Sequence, residues 1–395
     1  MLYIFVFTFI PMGLLSSIKS IMFILLVALF FIRTKFKISR KIIILTMLFI
    51  IVLLFQILNS YHSSFFEKET FFEFKSFIGL YVNIIILVYS IIHNFISAKL
   101  FLQYVIVAHI FYLSAKLFLI IGFFLKFTIA STLIEILSNI LNANILAYGI
   151  IPKITLINDI LTPIILLILI LNISLKDKLF NKTIQNIIIF VALLSIFLAF
   201  NRFNIALLFT GLIIYLFIID KKKIFYIIGI FLLIFSLLNI IDNPIVQAIT
   251  EIWSNRLSAE GSLSTSEKSF QYNLFFERIQ NNFLFGNGLG TFLTDYIRDD
   301  NIRYGYEAFI MIIFYQFGLI NFLFLIVIYF AFYILHFKLL KNRYLLFNFI
   351  LSIFILSVSL VNPMLLNSMF SIVYVLVISN FIFIRKSQII KRGMK

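Results

Sequence analysis

Apolar residues in this chain show neither the alternation of a half-buried strand nor the one-sided stripe of a surface helix. They come in near-continuous runs divided by short polar joints. About 20 apolar residues in a helix cross a hydrocarbon layer of about 30 Å. On that measure twelve segments are predicted to cross, at 2–16, 18–32, 42–59, 76–96, 101–125, 154–174, 184–200, 203–219, 224–241, 311–337, 344–361 and 364–384. The first two are divided only by Ser16, Ser17 and Lys19, so they also read as one bent element. The apolar run from Tyr304 to Phe337 is about 50 Å long at about 1.5 Å per residue, too long for one crossing. Its first part is expected above the membrane surface.

Composition agrees with the pattern. Apolar residues make up 63% of the 395 and charged ones only 12%, against roughly a quarter charged in a soluble domain. The expected fold class is therefore an all-α, polytopic integral membrane protein. The opening stretch Met1 to Leu15 lacks a small-residue cleavage pattern and reads as a retained first helix. With no cysteine, disulfides and thiolate metal sites are excluded. His62, His93, His109 and His336 are scattered, so no histidine cluster suggests zinc, and neither a metal nor a cofactor is expected.

The net charge of +16 invites a nucleic-acid reading, but the basic residues sit in short clusters between apolar runs and no stretch is polar enough to form a nucleic-acid groove. Lys and Arg retained on the cytoplasmic side explain them better. With Arg33, Lys35, Lys37, Arg40 and Lys41 placed inside, one alternation puts 20 basic and two acidic residues in the cytoplasm, and 11 basic and 14 acidic outside. Both termini then face the cytoplasm. Lys116 is left within a span, where it is expected to snorkel or to pair with a carboxylate.

This organisation predicts N-terminal membrane helices over 1–241, a large extracytoplasmic loop over 242–303 bearing short helices, and C-terminal membrane helices with a basic cytoplasmic tail over 304–395. The loop carries the only tryptophan, Trp253. It exceeds what a connector needs, and long loops usually have a function. Within it Ser264-Thr265-Ser266-Glu267 reads as a capping box, followed by a helix through Phe270, Leu274, Phe275 and Ile279 with Glu277 and Arg278 outward, ending at Asn281-Asn282.

Candidate chemistry gathers on the outer side. Gly286, Gly288 and Gly290 permit left-handed backbone angles, either in a plain turn or in one whose amides approach an anionic substrate. Arg202 interrupts a run otherwise nearly free of charge at the outer end of two helices. An ionisable residue there reads as functional, its planar fork suited to phosphate oxygens, or else as a turn marker that snorkels to headgroups. Arg256, Arg278, Arg298 and Arg303 lie on the same face and together favour an anionic ligand. Glu307, at the entry to the next apolar run, suits a general base or simply a helix-start carboxylate.

Several of these pieces together resemble the O-antigen and capsule repeat-unit polymerases of the Wzy type, related to the O-antigen ligases. They are Asn201-Arg202-Phe203-Asn204, the loop segment Phe275 to Phe292 with Asn281 through Gly290, Tyr306-Glu307 leading to Tyr315-Gln316-Phe317-Gly318-Leu319-Ile320, and Asn362-Pro363-Met364-Leu365-Leu366-Asn367-Ser368. The first half of the chain is similar only in hydropathy and span number. The resemblance implies an inner-membrane glycosyltransferase that joins undecaprenyl-diphosphate-linked oligosaccharides by metal-independent inverting transfer. It also implies a flippase and a chain-length regulator of the same pathway as partners. Arg202 and one or more of Arg256, Arg278 and Arg303 would hold diphosphate. The ligases carry a histidine where this chain has Glu307, leaving Asp295, Asp299 and Asp300 as alternative bases. An O-antigen ligase and a polysaccharide-unit flippase or other transporter are the competing functions.

Overall fold

The computed structural model describes residues 2–10, 16–35, 37–62, 68–141, 145–148, 151–154, 156–173, 175, 177–199, 201–219, 266–297, 303, 306, 308–361 and 368–393. The expected span 224–241, the Ser264 capping box, Trp253 and most of the segment Asn362 to Ser368 lie outside the described residues. In chain order the helices are α1 (Leu2–Phe9), α2 (Ser16–Thr34), α3 (Arg40–His62), α4 (Lys68–Ile92), α5 (Ala98–Phe124), α6 (Thr128–Leu141), α7 (Leu161–Ile173), α8 (Lys182–Leu198), α9 (Arg202–Ile218), α10 (266–279), α11 (Phe309–Leu335), α12 (Arg343–Val361) and α13 (Ser368–Gly393). A short antiparallel hairpin, β1 (Ile145–Tyr148) with β2 (Ile151–Ile154), precedes α7. Among the described residues six helices, α2, α3, α4, α5, α11 and α13, are long and apolar enough to cross a membrane. The chain is thus a helical membrane protein.

The helix starts follow from local chemistry. Ser97 caps α5 by accepting the Leu100 amide, and Asn181 caps α8 by accepting that of Ile184, so each supplies an acceptor to an amide that has no partner within its own helix. The hydropathy pattern places α4 at 76–96; the structure starts it at Lys68. Its polar first turns are helical because Glu69, Thr70 and Glu73 are buried against the loop segment around Leu289 and Gly290. Helix α6 and the hairpin are further elements that the span pattern did not single out.

The larger core gathers around α7 and α13, with α4, α5 and α1 packed about them. Apolar packing alone gives no preference over lipid tails, so polar pairs help to fix the arrangement. Asn83 of α4 donates to Ser371 of α13 at 2.6 Å, and Lys386 reaches Asn94, which makes these two helices parallel. Tyr329 and Tyr333 of α11 bond Ser352 and Asn348 of α12, which makes that pair antiparallel. Lys116 on α5 finds its carboxylate in Asp159, at 2.7 Å with both side chains almost fully buried. Asp159 also accepts Tyr112 Oη at 2.9 Å and the Leu156 amide at 2.9 Å. One turn along, His109 meets Thr162 at 2.9 Å.

A second core joins α3, the start of α4, α10 and α11. Helix α11 is broken at Gly318 (φ 66°, ψ 177°). An unbroken helix would bond the amides of Leu319 and Ile320 to the carbonyls of Tyr315 and Gln316. Instead the segment 283–288 enters the gap. Leu319 and Ile320 donate to Phe283 and Leu284 at 2.8 and 3.1 Å, while Asn287 and Gly288 donate to Tyr315 and Gln316, both at 2.9 Å. Gln56 and Asn321 side-chain amides reach the carbonyls of both Phe285 and Phe317. A polar loop thereby repairs a break in an apolar helix, the condition under which irregular backbone is tolerated at membrane depth.

Contact is backbone to backbone, and this sets the residue type. A Cβ on Gly286 (φ +75°) would lie 2.1 Å from the Gln316 carbonyl oxygen, and one on Gly288 (φ +99°) 2.2 Å from the Ser60 amide. Gly286→Ala is expected to lower stability by about 3 kcal/mol or more, from the left-handed backbone angle and the overlap together. Gly79→Ala, which meets nothing within 4 Å, should change it by less than about 1 kcal/mol. Thermal midpoints of the two variants in detergent, read by size-exclusion chromatography, check this; equal midpoints would refute the tight packing of residues 283–290, which form a strap across α3, α4 and α11.

Candidate functional site

The strap brings part of the expected chemistry to one place. Gly286, Gly288 and Gly290 all adopt positive φ, and their amides are donated inside the protein, to the carbonyls of Asn282 and Gln316 and to Glu73 Oε2 at 2.6 Å. Of the two sequence readings for these glycines, the geometry is that of a turn packed against protein, with the three amides engaged there. Arg278, on the exposed side of α10, pairs with Asp295. That pair is solvent-facing, and exposed pairs contribute little to stability. Asp295, one of the alternative bases, is thus engaged by Arg278 and also accepts the Thr294 hydroxyl at 3.1 Å.

Arg303 occupies the inner edge of the loop. Its guanidinium lies over the Phe292 ring, 5.4 Å from the centroid, and its Nε is 4.0 Å from Glu69 Oε1. Glu69 and Glu73 stand four residues apart and so share a face of α4. Both are buried; Glu69 Oε2 has no hydrogen-bond partner among the described residues, while Glu73 lies against the Gln316 side-chain amide. Gln316 uses its amide nitrogen on the Thr291 carbonyl, at 3.1 Å. The result is a buried, acceptor-rich cluster with the Arg303 guanidinium beside it. Sequence reasoning missed Glu69 and Glu73 because both precede the apolar run; the signal available was their four-residue spacing with Thr70 between them.

Tyr306 closes the loop from the other side. Its hydroxyl donates to the Tyr296 carbonyl and accepts the Leu293 amide, each at 2.9 Å, and its ring meets Phe275 edge-on at 4.8 Å. Burial pushes its pKa up to about 12, so it stays a neutral donor throughout the physiological range. One turn further along α4 from Glu73, Phe77 packs on Phe317 and forms the rim of an apolar cavity of about 180 Å³. Phe49, Tyr81, Phe322, Tyr329 and Tyr374 are among its other walls, and it lies between α3, α4, α11, α12 and α13.

Arg202 is placed elsewhere. It opens α9, where Asn201 caps the helix by accepting the Phe203 amide at 3.0 Å, and α9 packs on α7 and α12 in the larger core. Asn204 donates to the Asp159 carbonyl at 3.4 Å, so the Asn201-Arg202-Phe203-Asn204 turn abuts the buried Lys116–Asp159 pair. The Arg202 side chain, and Arg256, Arg298, Asp299, Asp300 and Glu307 altogether, lie outside the described residues.

No family model matches this chain, and neither a curated protein nor a solved structure matches it.

Glu73 tests the anchoring of the Gly290 amide. Gln in its place keeps an oxygen for the Gly290 amide, whereas Ala leaves that amide buried without an acceptor, a loss of about 1–3 kcal/mol beyond the cavity it opens. Glu73→Gln is therefore expected to hold its thermal midpoint in detergent within a few degrees of wild type and Glu73→Ala to fall well below it. Equal losses would show that the charge, rather than the acceptor atom, anchors the strap.

Proposed function

We propose that this protein is a polymerase of lipid-linked oligosaccharide repeat units, acting at the outer face of the bacterial inner membrane. The observation that carries the reading is the junction at the α11 break. There a polar loop segment bearing Arg278 and leading to Arg303 is clamped into apolar helices, above an apolar cavity that begins one helical turn from Glu73. Guanidinium at the outer end of a helix group whose interior holds an apolar cavity suits a substrate with an anionic head and a hydrocarbon tail, which is the chemistry of a polyprenyl diphosphate sugar. Two of the motifs that resemble the Wzy-type polymerases meet here, since Asn281 through Gly290 is bonded to Tyr315 through Ile320.

The proposed topology has about twelve spans, both termini in the cytoplasm and residues 242–303 outside. The relative helix directions support it: α4 runs with α13 and against α3, and α11 runs against α12, as one alternation of sides requires. In the proposed reaction Arg202, Arg256, Arg278 and Arg303 supply guanidiniums that neutralise the diphosphates. Neutralisation makes the donor lipid a good leaving group. Glu307 is the carboxylate first assigned to the acceptor hydroxyl, and the remaining requirement is positioning. The flippase of the same pathway would deliver the units and a chain-length regulator would govern the product.

A transporter reading draws on the same broken helix, because discontinuous helices hold ions and substrates in many transporters. The hydrogen bonds favour the enzyme. The amides and carbonyls released at Gly318 are bonded by the loop, Gln56 and Asn321, so the break offers a transported ion little backbone to bind.

Deletion of the gene and gel analysis of surface glycan separate the functions. Loss of the long-chain ladder with one repeat unit still attached is expected; no attached repeat would indicate a ligase, and repeats trapped inside the cell a transporter. Arg202→Ala at normal abundance should abolish the ladder, and a normal ladder would remove Arg202 from the mechanism.

A further inference from the structure

We propose that Glu69 is the carboxylate that takes the proton from the acceptor hydroxyl, and that Arg303 covers it until substrate arrives. The inference rests on the polymerase reading above and moves the base from the C-terminal half to the first turn of α4.

Three observations carry it. Glu69 is almost fully buried, yet its Oε2 has no partner among the described residues, a costly state for a carboxylate that serves only packing. Gly290 packs against the backbone of Glu69 and Thr70, and the Thr70 hydroxyl donates to the Leu289 carbonyl at 3.0 Å, so the strap fixes this turn of helix. Arg303 meets the other carboxylate oxygen at 4.0 Å, beyond hydrogen-bond distance, with its guanidinium resting on Phe292 and its side chain 35% exposed. Among its contacts the cation thus rests on an aromatic face and an ionic partner while part of it meets solvent. A diphosphate arriving at the solvent-facing side of Arg303 offers it paired oxygens in the geometry its fork favours. Movement of the guanidinium toward those oxygens uncovers Glu69.

The transfer then balances without a further reactant. The acceptor oxygen bonds to the anomeric carbon of the donor sugar, and the bond from that carbon to the diphosphate oxygen breaks. The electron pair leaves with the lipid diphosphate beside Arg303, and the hydroxyl proton passes to Glu69, which later returns it to water. Glu73, one turn deeper and held by the Gly290 amide, keeps the strap in place and does not meet the substrate.

The test uses the deletion strain complemented with full-length variants at matched membrane abundance, with ladder synthesis from the strain's own lipid-linked repeat units measured in isolated membranes. Glu69→Gln is expected to lower the rate by about 100-fold or more, as for loss of a general base, while Glu277→Gln on the exposed face of α10 leaves it unchanged. Glu69→Gln at more than about a tenth of the wild-type rate would overturn the inference. Should that variant not accumulate, Glu69→Asp decides: it keeps the charge but withdraws it by one methylene, so a wild-type rate would equally overturn the inference and a rate at least about tenfold lower at normal abundance supports it. Failure of the wild-type gene to restore the ladder would instead sink the polymerase reading itself.

Discussion

A peptide group at membrane depth has no water to turn to, and the break in α11 shows how this chain meets that constraint. Gly318 releases carbonyls and amides about 13 Å along the helix from Phe309, taking about 1.5 Å per residue. Four backbone bonds from residues 283–288 take them up. Loop and helix cannot part without stranding these groups, each worth several kcal/mol in hydrocarbon. This part of the polar loop therefore belongs mechanically to the membrane domain, and the groups it carries are placed with the precision of a packed core.

The second lock is electrostatic. Burying Lys116 and Asp159 contributes little net stability, because desolvation offsets much of their attraction, but leaving either one alone would cost several kcal/mol. Such a pair fixes which helices must meet more than how tightly they hold. Here it joins α5 to the entry of α7, while Asn158 donates to the Thr8 carbonyl at 2.9 Å and Asn204 approaches the Asp159 carbonyl. Helices α1, α5, α7 and α9 are thereby referred to one point. The turn bearing Arg202 inherits its position from an ion pair contributed by distant parts of the chain.

Hydropathy made the helices legible because lipid imposes the same demand on every span, and most described helices lie near the predicted segments. It misjudged the ends for the same reason. The first turns of α4 are polar, and their helical state depends on a partner more than 200 residues away, Gly290 bonding Glu73. The glycine run predicted positive φ, and all three glycines have it. Whether their amides faced an anion or the protein could not be read, since the partners Gln316 and Glu73 are distant in sequence. Lys116 announced the need for a carboxylate but not which one. The Gly318 break was the least visible feature, because a single glycine in an apolar run is common in membrane helices and only the approach of a second backbone distinguishes this one.

These constraints bear directly on the proposed reaction. A reaction on a lipid-borne head needs charged groups at the water boundary, where long side chains otherwise wander, and it needs them beside a path for hydrocarbon. Threading the loop through a helix break solves both requirements with the same bonds. The segment that supplies Phe292 and the neighbours of Arg303 is the continuation of the segment that completes α11, and α11 walls the cavity below. Small displacements of the loop would therefore be resisted by the membrane core itself. In the proposed polymerase, placement of the site and stability of the membrane domain draw on one set of hydrogen bonds.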